Sequence, residues 1–308
     1  MNPSPATLAR HFYCAYRNCP IRLGHSLIRR LLDPVLARHQ VIRLASGLQL
    51  ALDMARGNQN SIFWHDGNGD VNLYWAIREL VPLGGVFVDC GANCGLIGLL
   101  ARQYRQARVV FIEPHPRLAQ SVRANIQLNH FGDACEVIEA AVSDAGGEIT
   151  FYEDPKNDGS HSVLADWGGE MRAIGQVPCR TLREIAESRK LDRIDFLKID
   201  TEGHDFNALK SLGEWLDPAR VGVIHVEISR DHEAICELLR NRGYTGFVGL
   251  SRHRRLTARA KRIYEAGGPA CFFAPLTGAL VPPADVLWCG RNSSAAAYLE
   301  RLYAAEQR

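Results

Sequence analysis

From Gly85 onward, short β-branched segments alternate with amphipathic segments, and this alternation limits the fold more than any other feature. Segments of strand length and character lie at 86–88, 109–112, 136–140, 194–199 and 221–227. Segments of helical character lie at about 96–104, 118–129, 206–216 and 232–241. Strands that alternate with helices form a parallel sheet with helices on both faces. The sequence therefore predicts an α/β fold of the Rossmann-like kind.

The two ends of the chain are predicted to depart from this alternation. The elements expected before the sheet are a helical segment, a β-hairpin, a loop rich in Gly, Asn and Asp, and a short helix, at 1–40, 41–53, 56–72 and 74–80. Near the other end, 270–274 and 285–289 flank a Pro/Gly-rich turn and predict a hairpin at the sheet edge. We divide the chain into an N-terminal helical extension and hairpin, 1–80, and a main domain, 81–308.

Composition narrows the functional classes only a little. The 308 residues carry a formal net charge of +2, too small by itself to indicate a nucleic acid or a membrane surface. No segment approaches the roughly 20 apolar residues of a membrane span. The nine cysteines are irregularly spaced, mostly in apolar segments, so we expect reduced, buried thiols. Reduced thiols are typical of a reducing compartment, which predicts a cytoplasmic protein.

A glycine loop follows the first strand of the main domain. The strand ends at Asp89, and Gly91-Ala92-Asn93-Cys94-Gly95 leads into a helix. In an open parallel sheet, ligands bind beyond the carboxyl ends of the strands. Gly91 and Gly95 allow a tight turn, and Asn93 tolerates the left-handed conformation. The loop therefore predicts a cofactor site, although nicotinamide and flavin enzymes use similar turns.

Acidic residues at two strand ends distinguish between cofactors. The carboxylate of Asp89 would repel the pyrophosphate of a dinucleotide and attract the ammonium and sulfonium groups of S-adenosylmethionine (SAM). Glu113 ends the second strand, where a carboxylate can accept hydrogen bonds from both ribose hydroxyls, and Pro114 turns the chain away. Ala141 lies in a small, apolar segment that suits a flat adenine, although a plain core turn fits equally well.

Six motifs in this order resemble the FkbM-type methyltransferases over about residues 74–290. They are Asp89-x-Gly91-Ala92-Asn93-x-Gly95, Glu113-Pro114-x-Pro116, Asn125, Ala141 with Ser143-Asp144, Thr181-Leu182 and Leu197-Lys198-Ile199-Asp200-x-Glu202-Gly203. The chain differs from the family's usual Glu residues at Tyr74-Trp75 and at Asp205. The resemblance implies a Rossmann-like class I methyltransferase fold, with a mostly parallel seven-stranded sheet, helices on both faces and an antiparallel last strand. It also implies SAM-dependent O-methylation of a hydroxyl, often on a sugar, glycan or natural product.

The fourth strand supplies the candidate catalytic residues. Asp200 stands at its carboxyl end beside the glycine loop, where it can face the methionine end of SAM or the acceptor. Glu202 follows in the turn as a base or as a group that orients one; capping of the next helix is the alternative. His204 reads more readily as a helix-start residue than as a base.

Candidate acceptor-binding residues are His161 and Glu227. His161 belongs to the segment 154–162, which predicts a loop over the active site, and a plain surface position is the alternative. Glu227 ends the fifth strand, whereas His225 in the same strand reads as a core histidine. Asp200 and Glu227 lack a clear third ligand, so no metal site is predicted.

Other functions stay open at this point. An NAD(P)-dependent oxidoreductase is disfavoured by Asp89 and by the missing second glycine of the G-x-G-x-x-G pattern. A non-catalytic binding protein with a SAM-type fold is disfavoured by Asp200 and Glu202. The basic stretch 251–262 reads as a recognition site for an acidic group or as a solvated helix face. We expect a small-molecule or glycan acceptor and no nucleic acid.

Overall fold

The computed structural model describes residues 38–65, 67, 71–155, 157–250, 270 and 272–306. The helix predicted at 1–40 and the basic stretch at 251–262 therefore lie almost entirely outside the described residues. The strands are β1 His39–Arg43, β2 Gln49–Asp53, β3 Val86–Cys90, β4 Arg108–Ile112, β5 Cys135–Ile138, β6 Ala141–Val142, β7 Gly147–Glu153, β8 Arg172–Arg180, β9 Ile194–Ile199, β10 Val221–Ile228, β11 Tyr244–Gly249, β12 Phe273–Pro275 and β13 Ala284–Gly290. The helices are α1 Gly57–His65, α2 Val71–Leu80, α3 Leu96–Arg105, α4 Pro116–Leu128, α5 Leu182–Ser188, α6 Asp205–Lys210, α7 His232–Asn241 and α8 Ser294–Glu306.

The central sheet has eight strands in the order β12-β11-β13-β10-β9-β3-β4-β5. Strands β5, β4, β3, β9 and β10 run parallel to one another, and β13 runs antiparallel to both β10 and β11. The predicted mostly parallel sheet with an antiparallel last strand is thus confirmed. Seven strands account for the expected architecture, and the short β12 adds an eighth at the edge.

The hairpin predicted between 270–274 and 285–289 is wrong. Strand β13 inserts between β10 and β11, and β12 pairs with β11 instead. The side chains of β13 are mostly buried, as in a strand covered on both faces. The partner strand β11 escaped prediction because Gly246 and Gly249 dilute its β pattern. Gly246 packs so closely on Trp288 that a Cβ there would lie 2.9 Å from the indole ring.

The loop predicted at 56–72 is also wrong, because α1 occupies Gly57–His65. Its polar residues are bonded rather than solvated: Gln59 is buried, accepts the N–H of Asp53 and donates to Asp158. A second, three-stranded sheet of order β6-β8-β7 was not foreseen. The hairpin predicted at 41–53 is confirmed as β1 and β2, which turn at Gly47 with φ of 90°.

Two apolar layers enclose the central sheet. Phe87 of β3 and Phe196 of β9 stack at 5.2 Å on one face, and the neighbouring Val88 and Leu197 are buried on the other. Trp75 of α2 belongs to the same apolar layer as Phe87, so the described part of the N-terminal region packs directly on the sheet.

The six described cysteines are free, and all but Cys135 are buried, as predicted. No described helix combines the length and hydropathy that crossing a bilayer requires.

Candidate active site

A cavity of about 290 Å³ opens at the carboxyl ends of β3, β4, β9 and β10. This is the edge at which open parallel sheets bind ligands. Ten of the residues predicted from the sequence line it: Gly91, Ala92, Asn93, Glu113, Pro114, Ala141, His161, Asp200, Glu202 and Glu227. The structure therefore brings residues predicted for the cofactor and residues predicted for the acceptor into one cavity.

The glycine loop is shaped by contacts that only its own residues permit. Gly91 has φ of 78°, and a Cβ there would lie 1.8 Å from the carbonyl oxygen of Asp200. Asn93 adopts the left-handed conformation with φ of 52°. Its N–H donates to Glu113 at 2.8 Å, and its side-chain amide donates to the carbonyl of Asp158 at 2.6 Å. The loop is thus fixed to β4 on one side and to the segment 157–161 on the other.

Asp89 lies behind the loop rather than in the wall of the cavity. It is fully buried, accepts the N–H of Gly98 at 2.9 Å, and its other oxygen lies 3.3 Å from Nζ of Lys198. The expected direct attraction between Asp89 and the cofactor is therefore not what the geometry supports, because Lys198 already neutralises the carboxylate. Gly95 also lies outside the cavity wall, at the start of α3, where a Cβ would crowd Val122.

Lys198 connects the loop with the fourth strand. Its ammonium group donates to the carbonyl of Gly91 at 2.8 Å and lies 3.2 Å from Asp200. Burial favours the neutral amine, but the carboxylates of Asp200 and Asp89 outweigh it and raise the pKa of Lys198. The lysine therefore stays charged between two carboxylates and holds the loop against β9.

Glu113 accepts two backbone hydrogen bonds at the edge of the cavity. Oε2 accepts the N–H of Asn93 at 2.8 Å, and Oε1 accepts the N–H of His115 at 2.9 Å. Each carboxylate oxygen can accept a second hydrogen bond, so both stay able to bind a ligand. Burial raises the pKa of Glu113 to about 7.

The turn after β9 holds Glu202 in an unusual conformation. Glu202 has φ of 52° and Gly203 has φ of 89°. Oε2 of Glu202 accepts the indole N–H of Trp167 at 2.7 Å, and a Cβ on Gly203 would lie 2.2 Å from the Trp167 ring. Burial raises the pKa of Glu202 to about 9, so the group is mainly protonated at neutral pH. Trp167 was not predicted, because no local pattern marks it as a partner of this turn.

His161 lines the cavity and stacks on His115, with their ring centroids 4.8 Å apart. Possible ligand atoms of His115, Glu153 and His161 lie within 4.8 Å of one another. Nδ1 of His115 accepts the N–H of Arg117, so Nε2 carries the proton and donates to Glu153 at 3.3 Å. His115 therefore has no free lone pair for a metal ion, and the Arg117 guanidinium 3.6 Å from Glu153 opposes a second cation there.

The remaining polar residues of the cavity come from β10 and α6. Glu227 is exposed at the end of β10. His225 is buried in the same strand, with Nε2 4.0 Å from Asp285. His204 precedes α6, and its Nε2 lies 2.9 Å from the hydroxyl of Ser143.

This sheet, with its glycine loop and strand-end acids, has the Rossmann-like class I methyltransferase fold. Residues 89–245 match the methyltransferase FkbM domain. The protein belongs to this family of methyltransferases.

Two curated relatives and one solved structure indicate the range of similar proteins. Methyltransferase sdnD of Sordaria araneosa is 25% identical over 194 residues, which cover 53% of this chain and 75% of the relative. Hexuronic acid methyltransferase AglP of Haloferax volcanii is 22% identical over 219 residues, covering 69% and 87%. The crystal structure of methyltransferase FkbM from Methylobacillus flagellatus aligns with a TM-score of 0.41 at 14% identity, covering 86% of this chain and 60% of that one.

Proposed function

We propose that this methyltransferase uses SAM to methylate a hydroxyl group on a sugar, a glycan or a natural-product small molecule. The observation that carries the proposal is Glu113, whose carboxylate is fixed to the glycine loop at the edge of the cavity. The acceptor class is supported by the similarity to a hexuronic acid methyltransferase.

The cofactor is assigned to the wall formed by β3, β4 and the segment after β5. Glu113 would accept hydrogen bonds from the ribose hydroxyls, and Ala141 would contact the adenine, with Pro114 beside it. The backbone of Gly91, Ala92 and Asn93 would approach the methionine part of SAM. Asp89 and Gly95 would support this wall from behind.

The acceptor is assigned to Asp200, Glu202, His161 and Glu227, which also line the cavity. Methyl transfer is an in-line displacement on a cationic donor, so the protein mainly positions the acceptor and excludes water. Asp200 would orient the acceptor hydroxyl or the methionine ammonium group. Glu202 would act as a hydrogen-bond donor rather than as a base, because burial keeps it protonated near neutral pH.

The alternative functions raised by the sequence are not equally supported. Membership of the FkbM family favours methyl transfer over NAD(P)-dependent oxidation. The methyl-label assay described below distinguishes a methyltransferase from a non-catalytic binding protein. The division at residues 80 and 81 and the cytoplasmic location also stay proposals, the latter supported by the free thiols.

Methyl-labelled SAM and a panel of acceptors test the activity. We expect label in the products from uronic acids, their glycosides or hydroxylated small molecules, and the site of methylation is then read by mass spectrometry. The Asp200→Asn variant should bind S-adenosylhomocysteine but transfer little label. A variant of the exposed Glu148, Glu148→Gln, is the matched control. Cofactor binding without label in any hydroxyl acceptor would favour the non-catalytic alternative.

A further inference from the structure

His225 is buried at the floor of the cavity. Only 2% of it is exposed, and it lines the cavity together with Asp200. In the parallel pairing of β10 with β9, His225 is in register with Lys198. Side chains in register on adjacent strands lie on the same face of a sheet. His225 therefore stands next to the lysine that binds the carbonyl of Gly91.

Neither ring nitrogen of His225 has a hydrogen-bond partner within the part of the chain that the structure describes. Buried polar side chains in folded proteins are nearly always bonded to protein, water or ligand. A buried imidazole without a protein partner on the wall of an active-site cavity indicates that a ligand group bonds to it. The structural alternative, a core histidine bonded to the protein, does not agree with this geometry.

The charges around His225 suit an imidazole that gains a proton for a short time. Lys198 and Asp200 face it from the β9 side, Asp285 from β13, and Glu227 follows on its own strand. Burial lowers the pKa of His225, so its resting form is neutral and has a free lone pair. Asp285, at 4.0 Å from Nε2, is too far for a hydrogen bond but close enough to stabilise an imidazolium.

Three other polar groups that line the cavity are poorly suited to take a proton. The carboxylate of Asp200 is already occupied by an ion pair with Lys198 at 3.2 Å. Glu202 is mainly protonated at neutral pH. The Nε2 atom of His204 is bonded to Ser143.

We propose that His225 is the general base that accepts the proton of the acceptor hydroxyl. The inference rests on the proposed function. The hydroxyl oxygen forms a bond to the methyl carbon as the carbon–sulfur bond breaks, and the electron pair of that bond returns to sulfur. The sulfonium becomes a neutral thioether, the hydroxyl proton moves to a ring nitrogen of His225, and the imidazolium passes the proton to solvent after product release.

Histidine titration by NMR tests this placement without an acceptor. Protein labelled with ¹³C-histidine is titrated while saturated with SAM or with S-adenosylhomocysteine, and the signal absent from His225→Gln, or from His225→Asn, assigns the residue. We expect the titration midpoint of His225 to be about one pKa unit lower with SAM than with S-adenosylhomocysteine. The reason is that the sulfonium of SAM adds a unit positive charge within about 10 Å. The signal of the exposed His130 serves as the internal reference for the two complexes.

One NMR result would overturn the inference, namely equal titration midpoints for His225 in the two complexes. Failure of the protein to bind either compound would instead overturn the proposed function.

Kinetics with the acceptor found in the label assay give a second readout. His225→Gln should lower kcat by about 10²–10⁴-fold, while KM and the Kd of S-adenosylhomocysteine stay within about twofold. The acid limb of the kcat–pH profile should disappear. A folded variant whose kcat lies within about tenfold of the wild type would contradict a general base, whereas a merely structural histidine would change the melting temperature and cofactor affinity.

Discussion

The indole Nε1 of Trp167 donates a 2.7 Å hydrogen bond to Oε2 of Glu202, 35 residues further along the chain. The same ring packs on Gly203, so one side chain fixes both the carboxyl group and the backbone of the turn after β9. Arg230 lies over the ring at 5.1 Å. Trp167 therefore sets the position of Glu202, which lines the cavity.

Removal of the indole donor tests this contact. Trp167→Phe should lower the free energy of unfolding by about 1 kcal/mol beyond its loss of packing, because a partly buried hydrogen bond is removed. Urea unfolding of Trp167→Phe, Glu202→Met and the double variant isolates the shared contribution, because methionine offers the indole no oxygen acceptor. A coupling energy near zero would show that the bond contributes nothing to stability.

The raised pKa of Glu202 predicts a specific dependence of stability on pH. Between its ordinary value of 4.5 and the folded value of about 9, the group is ionised in the unfolded chain and protonated in the folded chain. The folded state then binds more protons, so this group makes stability fall as pH rises through that window. Glu202→Gln should remove this fall, and its advantage over the wild type should grow from pH 5 to pH 9.

Urea unfolding at pH 5, 7 and 9 measures the effect, with Glu148→Gln on the exposed face of β7 as the control. An advantage of Glu202→Gln that is constant across the three pH values would mean that Glu202 titrates as it does in the unfolded chain.

Gly91 and Gly84 form a matched pair for the glycine loop. Both have positive φ, of 78° and 73°, but a Cβ would meet the Asp200 carbonyl at Gly91 and nothing within 4 Å at Gly84. Gly84→Ala should cost about 1–2 kcal/mol for the left-handed conformation alone. Gly91→Ala should cost a further 1–3 kcal/mol, roughly the penalty of overpacking, and should abolish binding of S-adenosylhomocysteine. Equal effects of the two variants in calorimetry and thermal unfolding would refute the close approach.

The ion pair between Lys198 and Asp89 predicts that a second substitution restores stability lost by the first. Lys198→Met leaves Asp89 buried with its charge uncompensated and should lower the free energy of unfolding by about 3–5 kcal/mol. Adding Asp89→Asn removes that charge while an amide oxygen can still accept the N–H of Gly98, so most of the loss should return. If the double variant is as unstable as Lys198→Met, the ion pair is not the cause.

The sequence predicted the parts of this protein that depend on local pattern. The strands around the glycine loop follow from β-branched segments, and Gly91 with Asn93 marks a loop that needs left-handed residues. The acids at the ends of β4 and β9 could be foreseen because parallel strands place their carboxyl ends at one edge.

Contacts between distant segments could not be foreseen. Lys198 binds the carbonyl of Gly91, 107 residues earlier in the chain. The same ammonium group pairs with Asp89 and neutralises it behind the loop. Trp167 also makes a distant contact, since it precedes β8 and its partner Glu202 follows β9. Gly246 weakens the β pattern of β11, and the reason is its close contact with Trp288, which only the folded structure reveals.

Isothermal titration calorimetry with S-adenosylhomocysteine tests the central claim most directly, with NAD and NADP titrated in parallel. The account predicts micromolar binding of S-adenosylhomocysteine alone. Glu113→Gln should weaken it by about tenfold or more, the loss expected for a charge-assisted hydrogen bond, and the exposed variant Glu148→Gln should leave it unchanged. Binding of a nicotinamide cofactor instead, or full affinity in Glu113→Gln, would contradict the assignment of this cavity.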